Sequence, residues 1–155
     1  MRVRHVCAGD RTDWLQMRCE LWPSADAETH ATEIDRFFEG YLQDPLAVLV
    51  AEDSSGAAVG LIELSIRPYA EGCVTGRVGF VEGWYVEPSS QRRGIGRALI
   101  EEAEHWARAQ GCTELGSDAE IENETGILAH RHVGFEETGR IVCFRKSLSK
   151  PSLGS

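Results

Sequence analysis

Residues 80–106 read FVEGWYVEPSSQRRGIGRALIEEAEHW, and the rest of the chain is best understood outward from them. The stretch runs as a strand, a stop at Pro88, a short loop rich in arginine and glycine, and a helix whose apolar stripe is Ile95, Leu99, Ala103 and Trp106. Two features of it ask for a chemical account. Glu82 is a lone acid in phase with Val78, Phe80, Trp84 and Val86, so a strict alternation puts it on a largely apolar face. An unpaired charge is costly there, and a bound ammonium would compensate it. The loop Gln91-Arg92-Arg93-Gly94-Ile95-Gly96 opens a helix. Its glycines let backbone N–H groups approach a ligand, and the helix N-terminus adds a positive dipole end, so a pyrophosphate is the natural guest. Arg92, Arg93 and Arg97 reinforce that charge. The P-loop pattern GxxxxGK[ST] is absent, and Ala98-Leu99 follows Gly96 where a dinucleotide fingerprint has its third glycine.

Upstream, RVRHVCA reads as a first strand. Asp10 offers an N-cap for a helix carrying Trp14, Met17 and Leu21 at helical spacing. A second helix begins after Ser24 as cap, with Ala27, Ala31, Ile34, Phe38 and Tyr41 on one side. LAVLVAED and AVGLIELSIR, joined by DSSG, predict an antiparallel hairpin. Downstream of the 94–110 helix, closed by Gly111, come a strand CTELGSD, a helix within ENETGILAHRHV and a final strand or pair in GFEETGRIVCFRKSL. This order predicts a mixed sheet with helices packed on it, in a single domain over 1–148 with a flexible tail at 149–155.

Composition bounds the setting. A chain of 155 residues suffices for one core without staples, and its apolar runs fall far short of the roughly 20 residues of a membrane span. MRVRHVCAGD shows no signal-peptide h-region. Five scattered cysteines form no C-x-x-C pair and sit at no zinc-ligand spacing, which predicts free thiols, no metal and a reducing cytoplasm. The net charge of -9 argues against nucleic-acid binding and suits a cationic small molecule.

YVEPSSQRRGIGRALI resembles the acetyl-CoA signature of the GNAT superfamily of N-acetyltransferases, and NETGILAHRHVGFEET is similar to that superfamily's second signature. Together with RCELWP, SIRPY, FVEG and GSD, these segments resemble bacterial aminoglycoside 6'-N-acetyltransferases over most of the chain. The resemblance implies an α/β fold of the GNAT type. Its mixed, mostly antiparallel sheet is splayed between the fourth and fifth strands and carries helices on both faces. It implies acetyl-CoA as co-substrate and a homodimer. Backbone groups of Trp84, Tyr85 and Val86 would pair with the pantetheine arm, and Arg92, Arg93, Gly94, Ile95, Gly96 and Arg97 would surround the pyrophosphate. Asn123 would reach the CoA, although an N-cap reading of Asn123 is also open. For the acceptor the resemblance points to Trp22, Tyr69, Glu82 and Asp118. Trp22 could equally be core, Tyr69 a loop anchor, and Asp118 a cap of the following helix.

Acetyl transfer needs a neutral amine nitrogen, and an amine of lysine-like pKa near 10.4 is almost wholly protonated at pH 7. A carboxylate must therefore accept a proton, with Asp118 the first choice and Glu82 the second. A backbone N–H near Trp84 to Val86 would meet the oxyanion. Many superfamily members supply a tyrosine to protonate the departing thiolate. This chain has His130 at that point, which could donate or merely pack. The leading expectation is an aminoglycoside 6'-N-acetyltransferase working by direct transfer in a ternary complex. The alternatives are an acetyltransferase for another amine, such as a polyamine, a protein N-terminus or a lysine, and a non-catalytic acyl-CoA-binding module.

Overall fold

The computed structural model describes residues 1–41 and 44–150. Five strands form one sheet in sequence order: β1 Arg2–His5, β2 Ala47–Glu52, β3 Ala58–Arg67, β4 Val78–Val86 and β5 Leu115–Ser117. The pairs β1–β2, β2–β3 and β3–β4 are antiparallel, and β4–β5 is parallel. Helices α1 Arg11–Leu21 and α2 Ala27–Phe38 cover one face. Helix α3 Ile95–Ala109 covers the other, where Val133 and Phe135, just after α4 Glu124–His132, join its packing.

The amphipathic stripe of α3 falls where the sequence puts it. Ile95, Leu99 and Ala103 are buried against Leu49, Ile62, Leu64 and Val81, with Trp106 partly covered beside them. On the opposite face Trp14, Met17 and Ile34 pack on Val48, Val50 and Leu61. The stripe of α2 is rotated from the predicted one. His30 and Ile34 are buried and Phe37 packs inward, whereas Phe38, the last helical residue, and Tyr41, beyond the helix end, are exposed; the helix also starts later than expected, at Ala27 behind Asp26 rather than behind Ser24. Asp26 Oδ1 accepts the Thr29 amide at 2.7 Å. Asp10 stands at the N-cap of α1, yet its carboxylate takes two hydrogen bonds from Arg4, at 2.7 and 2.9 Å, and one from the Cys7 amide. The Arg4 guanidinium thereby holds the Asp10 carboxyl at about 2, below its ordinary value.

β3 carries polar residues on the α1–α2 face at period two: Glu63, Ser65 and Arg67. Glu63, 1% exposed, receives Arg18 Nη2 at 2.7 Å, Arg18 Nε at 2.8 Å and the Trp14 indole N–H at 3.0 Å. Arg18 also bonds Glu33. Every strong donor and acceptor in this buried pair is met, and removing one partner alone would cost about 3–5 kcal/mol by stranding a charge.

The expected final strand or pair in GFEETGRIVCFRKSL does not form. Residues 135–148 carry no strand, and Ile141, Val142, Phe144 and Leu148 stand 62%, 78%, 92% and 90% exposed. A strand needs a neighbour to take its amide and carbonyl groups, and this segment pairs with none among the described residues. All five cysteines are unpaired thiols, as expected. No helix among the described residues is long and apolar enough to cross a membrane, and none of their acids, histidines and cysteines cluster as metal ligands.

Candidate active site

The site is created by an inequality of lengths. β5 pairs with β4 only over Gly79↔Leu115, Phe80↔Gly116 and Val81↔Ser117, while β4 continues to Val86. From Glu82 to Val86 no described strand pairs with the β5-side edge of β4, which opens the expected splay. The other edge stays on β3 through Gly60↔Val86, with an irregularity between Glu63↔Gly83 and Leu64↔Val81. Glu82 is the extra residue of that bulge.

The bulge corrects the strict alternation expected of β4. Val78 and Phe80 lie on the α1–α2 face, and Gly83 lies so close to it that a Cβ there would meet the Trp22 ring at 2.6 Å. Trp84 and Val86 pack instead against the α3 face. Glu82 therefore shares a face with Val78 and Phe80 but not with Trp84 and Val86. An extra residue shifts the phase by one, and no period-two reading anticipates it.

Nor does Glu82 wait for a ligand to compensate its charge. Ser65 Oγ donates to its Oε1 at 2.7 Å, and Arg67 donates through Nε at 2.9 Å and through Nη2 at 2.7 Å to each oxygen. The Arg67 guanidinium also lies 3.6 Å from the Phe80 ring centroid. It is held above arginine's ordinary pKa, first by its hydrogen bonds to Glu82, against desolvation, then by the charges of Glu82, Asp118 and Asp44. The Asp44 carboxyl is pushed up by burial and by the charge of Glu82. Arg67 thus stands among three acids. The Arg67 side chain is 42% exposed and that of Glu82 14%, so the pair is solvated on the arginine side only.

Beside this cluster is a cavity of about 450 Å³ lined by Trp22, Glu33, Asp44, Glu63 and Glu82 among others. Trp22 sits under the Arg18 guanidinium, 5.3 Å from carbon to ring centroid, and stacks at 6.3 Å on His30. Of the four acceptor candidates, Trp22 and Glu82 line the cavity and Tyr69 and Asp118 do not. Tyr69 is exposed and hydrogen-bonded to Glu71, which raises its hydroxyl pKa. Asp118 follows β5 directly, exposed and within electrostatic reach of Arg67. It does not cap α4.

That cap is Asn123, whose Oδ1 accepts the Gly126 amide at 2.9 Å, so the amide oxygen is committed to the helix. On the α3 side, Gly94 adopts φ 77° at the helix N-cap, a left-handed conformation suited to glycine. The first intrahelical bond runs from the Ala98 amide to the Gly94 carbonyl, leaving the Ile95, Gly96 and Arg97 amides without helical acceptors. Gly96 has a second reason to lack a side chain, since a Cβ would come within 3.2 Å of the Trp84 ring. Arg97 Nη2 donates to the His132 carbonyl at 2.9 Å, tying α3 to the end of α4, while Arg92 and Arg93 are exposed at the loop. The Trp84 indole N–H is buried without a partner, a vacancy beside the loop that a polar ligand group could fill. The orphaned amides, the left-handed glycine, the unpaired β4 edge at Trp84, Tyr85 and Val86, and this indole fit an extended ligand with a pyrophosphate at one end. His130 lies at the inner end of the same side, edge-on to Trp84 and Phe135, with ring centroids 5.2 Å away in each case.

Sequence reading missed Arg67, Asp44 and Ser117, which bonds His130. Only the first had a signal, the alternation Glu63-x-Ser65-x-Arg67 in a strand otherwise read as apolar.

The family model described as "Acetyltransferase (GNAT) family" matches residues 11–135. An aminoglycoside N(6')-acetyltransferase type 1 from Klebsiella aerogenes is 51% identical over 146 residues, covering 94% of this chain and 96% of that protein. A namesake from Stenotrophomonas maltophilia is 39% identical, covering 94% and 93%. Among solved structures, the apo aminoglycoside 6'-N-acetyltransferase AAC(6')-IG of Acinetobacter haemolyticus superposes with a TM-score of 0.87 at 35% identity, over 96% of this chain and 100% of that one. AAC(6')-Iy in complex with the bisubstrate analog CoA-S-monomethyl-acetylneamine superposes with a TM-score of 0.85 at 31% identity, over 94% and 97%. The chain belongs to the GNAT acetyltransferase family, and within it to the aminoglycoside N(6')-acetyltransferases.

Proposed function

We propose that this chain transfers the acetyl group of acetyl-CoA to the 6'-amino group of aminoglycosides, in the cytoplasm, by direct attack within a ternary complex. The observation that carries the reading is the placement of an acid-lined cavity on one side of the splay and a pyrophosphate-type helix N-terminus on the other. The pantetheine arm would extend β4 along Trp84, Tyr85 and Val86. The pyrophosphate would rest on the Ile95–Arg97 amides, with Arg92 and Arg93 reaching over it and Asn123 close by. A polycationic acceptor suits Glu33, Asp44, Glu82 and Asp118, which would attract and orient it. Trp22 would form one wall. Tyr69, exposed on the loop after β3, would close over a bound sugar.

Asp118 takes a proton from the acceptor's ammonium group, directly or through water, so that the neutral amine attacks. It is exposed and carries no hydrogen bond among the described residues, whereas Glu82 already accepts four. That contrast favours Asp118 as base and Glu82 as a binding group. A backbone N–H of the unpaired β4 edge meets the oxyanion, and His130 acts on the leaving-group side.

The chain would work as a homodimer. Ile141, Val142 and Phe144 form an exposed apolar run that pairs with no strand among the described residues, and a second copy could supply a neighbour. Sedimentation analysis should give twice the chain mass, reduced to a monomer when residues 139–155 are deleted. A monomeric full-length chain at micromolar concentration would overturn this part.

Incubation with acetyl-CoA and a panel of aminoglycosides should acetylate compounds carrying a 6'-amino group and leave 6'-hydroxyl analogues without acetate at that position, as read by mass spectrometry and positional NMR. Acetate on another ring nitrogen rejects the regiochemistry. No product from any aminoglycoside, with turnover of a simple diamine or a peptide, would assign the chain to another amine.

For the carboxylates, Asp118→Asn should lower kcat by roughly 10²-fold or more with acetyl-CoA binding intact. Glu82→Gln should mainly raise the acceptor KM, because an interaction shared by ground and transition states chiefly alters binding. Collapse of kcat in Glu82→Gln with a near-normal Asp118→Asn would reverse the two roles.

A further inference from the structure

Adjacent residues at the end of β5 point to opposite faces of the sheet. Leu115 packs with the α3-side core, so Ser117, two residues on, shares its face, while Gly116 lies against Phe80 on the acceptor face. Asp118 continues the alternation toward Arg67. Ser117 is the last residue paired with β4, through Val81. An extended ligand lying on the β4 edge from Val86 inward must stop where β5 begins, and its reactive end then meets Ser117.

Ser117 Oγ lies 2.7 Å from His130 Nε2, and His130 Nδ1 lies 2.6 Å from the Gly126 carbonyl oxygen. A carbonyl only accepts, so Nδ1 carries hydrogen and donates to it. When the ring is neutral, Nε2 accepts from the Ser117 hydroxyl. When the ring is protonated, Nε2–H donates to Ser117 Oγ and releases the serine hydrogen toward the splay. Both protonation states keep the Ser117–His130 bond without movement of either heavy atom, and the protonated state leaves the serine hydrogen free to be given away, which is what a proton relay requires. The ring is fixed by Trp84 and Phe135.

We propose that Ser117 is the residue that protonates the departing CoA thiolate, resupplied by His130. The inference rests on the acetyl-CoA reading above but not on the identity of the acceptor. As the tetrahedral intermediate collapses, the carbon–sulfur bond breaks and its electron pair stays on sulfur. The Ser117 hydroxyl proton passes to that sulfur, and the His130 Nε2 proton passes to Ser117 Oγ. The pair ends with a neutral imidazole, and the next proton comes from solvent. The proton lost by the attacking nitrogen goes to the acceptor-side carboxylate, so the two transfers occur on opposite faces of β5 and do not compete.

The test uses whichever amine the unaltered enzyme acetylates, so failure of the aminoglycoside assignment leaves it standing. An acid must be protonated to act, so the relay contributes a fall in kcat as pH rises through its titration. Ser117→Ala should lower kcat about tenfold on the acid side of that limb and flatten the limb, with the acetyl-CoA KM within twofold of normal. Ser117→Thr, which keeps a hydroxyl, should restore both. His130→Gln keeps a hydrogen-bond donor but cannot titrate, and should flatten the limb as Ser117→Ala does. A purely structural tie between β5 and α4 would move the melting temperature and leave the limb in place. Retention of the alkaline limb in Ser117→Ala, or in His130→Gln if the alanine variant does not fold, overturns the proposal.

Discussion

Everything functional in this molecule depends on a parallel ladder that is three residues long. β5 holds β4 through Gly79, Phe80 and Val81 and then ends, so beyond Val81 no described strand pairs with that edge of β4, on a sheet otherwise joined by antiparallel ladders. An unpaired edge inside a fold costs free energy unless something takes up its amides and carbonyls. An extended ligand lying along that edge would take up those groups as an added strand does. The α3 N-terminus, reached through the Pro88 turn, stands at its outer end and Ser117 and Asp118 at its inner end.

The bulge at Glu82 divides what the ladder opens. It lets Glu82 and Gly83 turn toward α1 and α2 while Trp84 and Val86 return to the α3 side, so the first half of one strand borders the acid-lined cavity and its second half the N-terminus of α3. Gly83 admits the Trp22 ring at a distance no Cβ would tolerate. Beneath, the fully met Arg18–Glu63–Trp14 network fixes α1 to β3 and so fixes the wall that carries Trp22. The Arg67–Glu82 pair differs from it in being open to solvent on the arginine side, with Glu82 lining the cavity.

Much of this was legible in the sequence because it follows from local rules. The α3 stripe, the DSSG hairpin, the loop at Gly94 and Gly96 and the alternation within β3 depend on spacing alone. The α2 stripe differs because a polar residue, His30, takes a buried position and the helix ends at Phe38, before Tyr41, while its start is set by the Asp26 cap rather than by Ser24. The face of Trp84 was misjudged because a bulge leaves no mark in period-two patterning. The terminal strand was misjudged because Ile141, Val142 and Phe144 have strand composition, yet a strand is a relation between two segments. Glu82 was read as awaiting a cation because its counter-ion comes from another strand, 15 residues away in sequence. Pairings of that range are outside what spacing can convey.

The most direct test of the account is whether the β4 edge is the bed of the pantetheine arm. Amide hydrogen exchange should be followed by mass spectrometry for the free protein, for the protein with adenosine 3',5'-bisphosphate, and for the protein with CoA. The bisphosphate lacks the arm and should slow exchange only around the loop at residues 91–97. CoA should extend the slowing to Trp84, Tyr85 and Val86, because local protection reports the pairing of those backbone groups. Protection confined to the loop in both complexes, with β4 exchanging as in the free protein, would contradict the claim that the short ladder exists to leave that edge open.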